Sequence, residues 1–582
     1  MDTPSDASWQ ALTAFMQQLL AGAQKPFTQG AGQLDASATL QQFAEDYVRD
    51  PARWQALQQG WYEQQLALWT RMTDGAPESE PAAAAPAPDR RFRAPEWREP
   101  YFQWLSQAYL INAQWMESLA AGAQLAPHDK KKATFLVRQW IDAASPANFG
   151  WSNPEALKLA AETQGASVAR GLQNLQDDLP KGMVSMTDTR AFEVGRNLAA
   201  TPGAVVFEND LLQLIQYRPT TPNVHSRPLL LVPPCINKFY VLDLQQENSL
   251  VAYAVAQGHT VFMVSWRNAT PEMGSVTWDD YIARGVITAI DSVRKICNVK
   301  KINALGFCVG GTLLATALAV LHAKRKKPVA SLTLLATMLD FFDTGELSVF
   351  IDEAYVQNRE RELGAGGVLQ GRELAITFAS LRPNDLIWNY VVNNYLKGQT
   401  PPPFDLLYWN CDSTNLPGAM YCWYVRNTYL ENNLRVPGKV TVCGVPLDLT
   451  RLDFPSYQLA TREDHIVPWK TAYASTGLLK GNQTFVLSAS GHIAGVINPA
   501  SRDRRNYWTN DTADADPEAW LAGATSHAGS WWKHWSAWLS RHGGPMVPAR
   551  ESLGGMGYTE IEAAPGRYVR ETPASGTTPF KA

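Results

Sequence analysis

One cysteine lies in a sequence context that is typical of a catalytic nucleophile. Cys308 stands in the heptapeptide 306–312 (G-F-C-V-G-G-T), directly after an apolar run and before a helical pattern. This is the nucleophile-elbow arrangement G-x-S-x-G, a tight strand-to-helix turn, with cysteine in place of serine. Gly306 and Gly310 are expected there because strand and helix approach each other closely. The N-terminus of the following helix favours a thiolate, which lowers the pKa of a cysteine from about 8.5.

The acid and the base that serve this nucleophile are expected downstream, because the chain order in such folds is nucleophile, acid, histidine. Asp464 and His492 each follow a strand-like run. We therefore predict a catalytic set of Cys308, Asp464 and His492. Two alternatives stay open from the sequence, namely Glu463 as the acid and His465 as the base.

An acyl-transfer site also needs backbone N–H groups that bind the oxyanion. One donor is usually the residue after the nucleophile, here Val309, and the other comes from the loop after an early strand. That loop is 232–238 (V-P-P-C-I-N-K), in which the two prolines lack an N–H. We predict Val309 and Ile236 as the oxyanion hole, with Cys235 as the alternative to Ile236. The Cys235 side chain itself is interpreted as structural.

A cysteine nucleophile favours acyl transfer from a thioester. A thiolate that attacks a thioester produces another thioester of similar energy, so the acyl group stays activated for transfer to an alcohol. An oxygen nucleophile would instead form an ester at that step. Cysteine hydrolases on the same fold leave hydrolysis open. The remaining cysteines show no metal-ligand spacing, and we predict no metal and no other cofactor.

From residue 201 onward, short apolar runs alternate with helical stretches. Buried strands that alternate with helices predict an α/β fold, with a mostly parallel central sheet covered by helices on both faces. The aromatic-rich run 339–436 lacks this alternation and is interpreted as an inserted cap. The predicted strands are 211–217, 229–232, 260–266, 302–307, 329–338, 456–461 and 484–487.

The N-terminal third has a different organisation. Residues 1–74 show apolar positions at helical spacing, and residues 75–94 contain an Ala/Pro-rich tract that is typical of a flexible linker. Residues 95–200 again predict helices, interrupted at prolines. We therefore predict a helical segment, a linker, a helical domain and a catalytic domain that covers 201–582.

Composition excludes several classes of function. The 51 basic and 55 acidic residues give a net charge of −4, which argues against a nucleic-acid partner. Six cysteines among 582 residues are too few for a disulfide scaffold. The acidic N-terminus does not resemble a signal peptide, and no apolar run is long enough for a transmembrane segment. The sequence therefore predicts a cytoplasmic protein.

Taken together, these motifs resemble those of the polyhydroxyalkanoate synthases of class I. The elbow is similar to the family's box G-x-C-x-G-G, and the resemblance covers roughly residues 95–570. Further similar motifs are P-Y-F (100–102), P-P-C-I-N-K (233–238), S-W-R-N (265–268), E-D-H-I-V-P-W (463–469), S-G-H-I (490–493) and P-G-R-Y (565–568).

The resemblance implies an α/β-hydrolase fold and an enzyme that polymerises (R)-3-hydroxyacyl-CoA, usually short-chain such as 3-hydroxybutyryl-CoA, into polyester. CoA is then carried by the substrate and released. The resemblance also implies a homodimer and attachment to cytoplasmic polyester granules. Contact of the helices in residues 1–94 with granule-associated proteins is a further hypothesis. Cys308 would hold the growing acyl chain and His492 would take its thiol proton. Asp464 would either orient His492 or act on the substrate 3-hydroxyl.

Two other functions remain as alternatives. A thioesterase or polyester hydrolase of the same fold would release free hydroxy acid instead of polymer. A granule-coating protein without catalysis would not depend on Cys308.

Overall fold

The structure is a computed structural model that describes residues 36–74, 89–512 and 514–572. It contains two compact units. The first comprises Met1–Asp188 together with Ile376–Pro402, and the second comprises Thr189–Ala375 and Pro403–Ala582. Part of the predicted cap therefore groups with the N-terminal helices, whereas the sequence placed all of 339–436 in the catalytic domain. The other predicted domain boundaries stay predictions.

In the first unit, prolines mark where helices begin. Pro51, Pro100, Pro127 and Pro154 each occupy the start of a helix, where the missing N–H costs no hydrogen bond. The predicted helical pattern before residue 36 and the linker residues 75–88 lie outside the described residues. The α-helices of this unit are Ser37–Arg49, Pro51–Asp74, Pro100–Gly122, Pro127–Ala143, Pro154–Glu162 and Ala166–Asp178, with 3-10 turns that include Arg90–Phe92 and Pro95–Arg98 and π-helical turns at Asn384–Trp388 and Val391–Leu396.

The second unit is built on one sheet of eleven strands. The strands are β1 (Gly203–Glu208), β2 (Leu212–Tyr217), β3 (Leu229–Val232), β4 (Val261–Trp266), β5 (Ile302–Phe307), β6 (Val329–Leu335), β7 (Ser456–Thr461), β8 (Gln483–Ser488), β9 (Asn506–Thr509), β10 (Thr525–Ala528) and β11 (Glu562–Ala563). Their order is β10-β9-β8-β7-β6-β5-β3-β4-β2-β1-β11. Within the set β3 to β8, neighbouring strands run parallel to one another. The outer strands β1, β2, β9, β10 and β11 pair antiparallel with their neighbours.

Helices and turns cover both faces of this sheet. Along β3, Leu230 and Val232 belong to one apolar cluster whereas Leu229 and Leu231 belong to the other. Alternate residues of a strand point to opposite faces, so both faces are buried, which confirms the predicted α/β class. The helices of this unit are Leu250–Ala256, Trp278–Asp280, Tyr281–Ile287 (π), Thr288–Cys297, Val309–Ala323, Glu353–Leu363, Gly371–Ser380 (whose second half belongs to the first unit), Asp405–Cys411, Gly418–Val425, Arg426–Leu430 (π), Trp469–Ala474, His492–Val496, Pro517–Ala522 and Trp531–His542.

The structure differs from the sequence prediction at the edges of the sheet. The outer strands β1, β9, β10 and β11 are absent from the prediction. Strands β9, β10 and β11 have two to four residues, none of them buried, whereas β1 contains the apolar run 204–207, a signal that the prediction did not use. The predicted cap contains a short strand pair, Val368–Leu369 with Leu416–Pro417. Strand β6 ends at Leu335, three residues before its predicted end. Among the described residues, no helix is long and apolar enough to cross a membrane.

Candidate active site

Cys308 lies in a strained turn between β5 and the helix Val309–Ala323. Its backbone has φ 52° and ψ −128°, an arrangement that non-glycine residues adopt rarely and that is concentrated at functional sites. A Cβ at Gly306 would lie 2.4 Å from the Gly311 Cα, and one at Gly310 would lie 2.3 Å from the Val232 carbonyl oxygen. The predicted need for glycine at both positions is confirmed.

Asp464 and His492 form a buried pair beside this turn. His492 Nδ1 lies 2.8 Å from Asp464 Oδ2, and the side chain of Asp464 has no exposed surface. Thr461 Oγ1 donates to the same carboxylate oxygen at 2.9 Å. The other oxygen, Oδ1, accepts from the backbone N–H groups of Ile466 at 2.9 Å and Val467 at 2.8 Å. The carboxylate is therefore surrounded by donors.

The pKa values of this pair move in opposite directions. Burial favours the neutral carboxyl of Asp464, but the charge and hydrogen bond of His492 and the two backbone N–H groups lower its pKa below the ordinary value. Burial favours the neutral imidazole of His492, but the Asp464 carboxylate and the nearby Cys308 raise its pKa to about 10. The geometry therefore favours an imidazolium between the carboxylate and the sulfur.

The ring of His492 is held in position from several directions. The Phe307 ring stacks on it with centroids 5.5 Å apart and planes inclined by 24°. Because Nδ1 faces Asp464, Nε2 is the ring nitrogen left for the Cys308 thiol. Strands β5, β7 and β8 lie in one parallel set, and each of the three residues follows the carboxyl end of one strand. This is where ligand sites of parallel α/β sheets are found.

The structure also bears on the two open alternatives. The imidazole that pairs with Asp464 is that of His492, whereas His465 follows in the turn, with its carbonyl oxygen beside Gly345. Glu463 is exposed and Asp464 is buried. A buried carboxylate beside the histidine fits the acid position better than an exposed one.

The predicted oxyanion donors lie on neighbouring segments. Val309 is the first residue of its helix, where the backbone N–H has no partner within the helix. Ile236 belongs to the loop after β3, and this loop touches the elbow at Gly310. Cys235 is buried, and burial together with the nearby Cys308 raises the pKa of its thiol to about 12. Its thiol therefore stays protonated, in agreement with a structural role.

Comparison with known proteins defines the family. Residues 88–254 match the family described as the poly-beta-hydroxybutyrate polymerase (PhaC) N-terminus, and residues 228–499 match the alpha/beta hydrolase fold. The chain is 54% identical over 527 residues to the poly(3-hydroxyalkanoate) polymerase subunit PhaC of Cupriavidus necator, with 89% of each chain covered. The chain belongs to the poly(3-hydroxyalkanoate) polymerase family. The polymerase subunit of Rhizobium meliloti is 41% identical, over 92% of this chain and 88% of its own.

Membership of the polymerase family agrees with the resemblance drawn from the motifs. The segment that matches the hydrolase fold contains Cys308, Asp464 and His492, and the segment that matches the polymerase N-terminus contains the loop with Ile236. Across residues 36–74, 89–512 and 514–572, no group of three or more His, Cys, Asp or Glu side chains is arranged to hold a metal ion. The predicted absence of a cofactor remains a prediction.

Sequence reasoning missed two kinds of residue around the polymerase site. Tyr429, in the π-helical turn Arg426–Leu430, has its pKa raised by burial and by the charge of Cys308. The sequence signal that could have pointed to Tyr429 is the aromatic-rich run in which it lies. Thr414 contacts the loop that carries Ile236, and no motif pointed to it.

Proposed function

We propose that this protein polymerises (R)-3-hydroxyacyl-CoA into polyester, with release of CoA, through a covalent thioester on Cys308. Short-chain units such as 3-hydroxybutyryl-CoA are the proposed substrates, and no cofactor or metal takes part. The observation that carries the proposal is the hydrogen-bonded pair of His492 and Asp464 beside Cys308 at the elbow, in a chain of the polymerase family.

In the first half of the cycle, the acyl group moves from CoA to the enzyme. His492 takes the proton of the Cys308 thiol, and the thiolate attacks the thioester carbonyl of the substrate. The backbone N–H groups of Val309 and Ile236 bind the oxyanion that forms. The C–S bond to CoA breaks, the leaving CoA sulfur takes the proton from His492, and the acyl group remains on Cys308 as a thioester.

In the second half, an ester bond forms. The hydroxyl oxygen of one acyl unit attacks the thioester carbonyl of another, and His492 takes the hydroxyl proton. The C–S bond breaks as the C–O bond forms, and the released sulfur takes the proton back. Each cycle thus extends the polyester by one unit. In the alternative hydrolase, water replaces the hydroxyl and the product is free hydroxy acid.

Asp464 is proposed to orient His492 rather than to act on the substrate hydroxyl. A carboxylate has about four acceptor positions. Those of Asp464 face the imidazole of His492, the hydroxyl of Thr461 and the backbone N–H groups of Ile466 and Val467. Its side chain is fully buried as well. This arrangement supports an orienting role, because a substrate hydroxyl would have to displace one of these donors.

We further propose that the enzyme acts in the cytoplasm as a homodimer, attached to granules of its polyester and in contact with granule-associated proteins. One feature of the first unit supports an apolar partner surface. On the helix Pro51–Asp74, the large side chains of Tyr62, Leu66 and Trp69 are exposed and are spaced by four and three residues. This spacing places them on one side of the helix. We call these three residues the exposed stripe.

The test is CoA release from (R)-3-hydroxybutyryl-CoA, with the product sized by chromatography. We expect high-mass polymer from the wild type and neither CoA nor polymer from Cys308→Ala. Cys297→Ala is the matched control, since this cysteine lies at the end of another helix and burial raises the pKa of its thiol to about 11. CoA release with only free 3-hydroxybutyrate would support the hydrolase instead. Unchanged polymer from Cys308→Ala would contradict the proposed nucleophile.

A further inference from the structure

The loop that carries the proposed oxyanion donor is held through its carbonyl groups. Trp266 Nε1 donates to the Pro233 carbonyl at 2.9 Å, at the start of the loop. Trp409 Nε1 donates to the Lys238 carbonyl at 2.7 Å, at its end. Both indoles are buried, so each bond is protected from water. Two of the four carbonyls between these anchors, those of Cys235 and Ile236, share a different partner.

That partner is Thr414, which lies in the insertion between β6 and β7. Its hydroxyl is 2.7 Å from the Cys235 carbonyl and 2.6 Å from the Ile236 carbonyl, so one proton is shared between two acceptors. Its backbone N–H also donates to the Ile236 carbonyl at 3.1 Å. Thr414 is only 3% exposed, and the adjacent Ser413 forms an antiparallel bridge with Asn237.

The geometry of the peptide bond gives this contact a consequence for the reaction. The Cys235 carbonyl and the Ile236 N–H belong to one planar trans peptide and point in opposite directions. A hydrogen bond that fixes the carbonyl therefore fixes the direction of the N–H. We propose that Thr414 is a positioning residue that aims the Ile236 N–H at the developing oxyanion. This inference rests on the proposed function.

Thr414 is itself held rigidly, as a positioning residue must be. The backbone N–H of Asn415 donates to Asn268 Oδ1 at 2.9 Å, and Asn415 Oδ1 accepts from the Gly371 N–H at 2.9 Å. A Cβ at Gly371 would lie 2.5 Å from the Thr414 carbonyl oxygen, so only glycine fits there. A donor that is fixed before the reaction needs no reorganisation as charge develops, which is the source of oxyanion stabilisation.

The first part of the test separates the hydroxyl from the shape of the side chain. Thr414→Val keeps the shape and removes the hydroxyl, and we expect kcat for CoA release from (R)-3-hydroxybutyryl-CoA to fall about 10- to 100-fold. KM should change less than about threefold, because the oxyanion exists only in the transition state. Thr414→Ser should stay within about threefold of the wild-type kcat, whereas Thr414→Ala should fall like Thr414→Val.

The second part distinguishes positioning from loss of structure. Alkylation of Cys308 by iodoacetamide forms no oxyanion, so its rate should be the same in Thr414→Val and wild type. Thr316→Val is the matched control, because this buried hydroxyl also donates to a backbone carbonyl, that of Thr312 at 2.8 Å. Its kcat should not change. If Thr414→Val does not fold, the comparison of Thr414→Ser with Thr414→Ala decides the question in the same way.

The outcomes separate this inference from the proposed function. Three results with Thr414→Val would overturn the role of Thr414 even if the wild type forms polymer. These are an unchanged kcat, a change confined to KM, and a loss of Cys308 alkylation that matches the loss of kcat. A Thr414→Ser variant as slow as Thr414→Ala would overturn it as well. A wild type that releases no CoA would contradict the proposed function, and this inference with it.

Discussion

Asp464 and His492 form one buried, hydrogen-bonded pair. The carboxylate is stabilised by four donors, and the imidazole gains its proton because the carboxylate and the sulfur flank it. In ordinary triads, the acid holds the histidine in the tautomer and orientation that the nucleophile needs. The Asp464–His492 hydrogen bond supports the same orienting role for Asp464 here. The same pair also makes the stability of the protein depend on pH.

The first prediction concerns this pH dependence. The pKa of His492 is raised from 6.5 to about 10 in the fold, so its stabilising effect is complete below 6.5 and is lost as the pH rises towards 10. We expect the wild type to lose stability relative to His492→Gln over this window, at no more than about 1.4 kcal/mol per pH unit. Denaturant unfolding of both proteins between pH 6.5 and 10 measures the difference. A constant difference would contradict the raised pKa.

Among the elements, the elbow between β5 and the helix Val309–Ala323 decides where the nucleophile lies. The strand and the helix approach so closely that backbone atoms occupy the space of side chains at Gly306 and Gly310. The backbone N–H of Val309, the first residue of the helix, has no partner within the helix. The turn therefore positions the sulfur and one of the two proposed oxyanion donors together.

The second prediction is that Gly310→Ala abolishes polymer formation. The alanine Cβ would lie 2.3 Å from the Val232 carbonyl oxygen and 2.5 Å from that of Pro233. The helix or the loop that carries Ile236 must therefore shift. We expect a loss of stability of roughly 1–3 kcal/mol, as for other overpacked sites. Gly477→Ala is the matched control, because a Cβ there meets nothing within 4 Å. CoA release and thermal unfolding are measured together, and normal activity in Gly310→Ala would refute the close contact.

The sequence predicts the central elements well and the outer ones poorly. The bounds of β3, β5 and β7 are as predicted, and every residue of these three strands is buried. Strand β3 is a continuous apolar run, whereas β5 and β7 also contain polar residues. The outer strand β10 is mostly exposed and carries no such run. Strand β11 has two residues and pairs with β1, which lies at the other end of the second unit's sequence. Pairings of this kind depend on tertiary contacts rather than on local pattern.

At the scale of the whole molecule, the chain does not divide at a single boundary. Residues 376–402 belong to the first unit, together with the N-terminal helices, although the residues on either side of them in sequence belong to the second unit. Within the first unit, Lys397 pairs with Glu155 at 2.6 Å and Asn394 Nδ2 donates to the Ser185 carbonyl at 2.7 Å. This unit also carries the exposed stripe on the helix Pro51–Asp74, which is available to a partner surface.

The third prediction concerns the exposed stripe, where Leu66 is 51% and Trp69 53% exposed. We expect Leu66→Glu combined with Trp69→Glu to lower the share of enzyme bound to polyester granules several-fold, because charge on this face opposes contact with an apolar polymer. The kcat for CoA release should stay within about twofold. Gln64→Glu combined with Ala67→Glu adds the same charge to exposed positions on another side of the same helix and should leave binding unchanged. Sedimentation with isolated granules measures the bound share, and equal loss in both double variants would contradict a role for the stripe.

The sequence by itself predicted the family of this protein and its candidate catalytic residues. Local motifs specify Cys308 at a strand-to-helix turn and place Asp464 and His492 after later strands, since elbows and strand ends are properties of short segments. Only the tertiary structure decided what those residues meet. The Asp464–His492 bond crosses 28 residues of sequence, and the contact of Thr414 with Cys235 crosses 179. Contacts over such distances depend on how the sheet and its insertion pack, which no local pattern encodes.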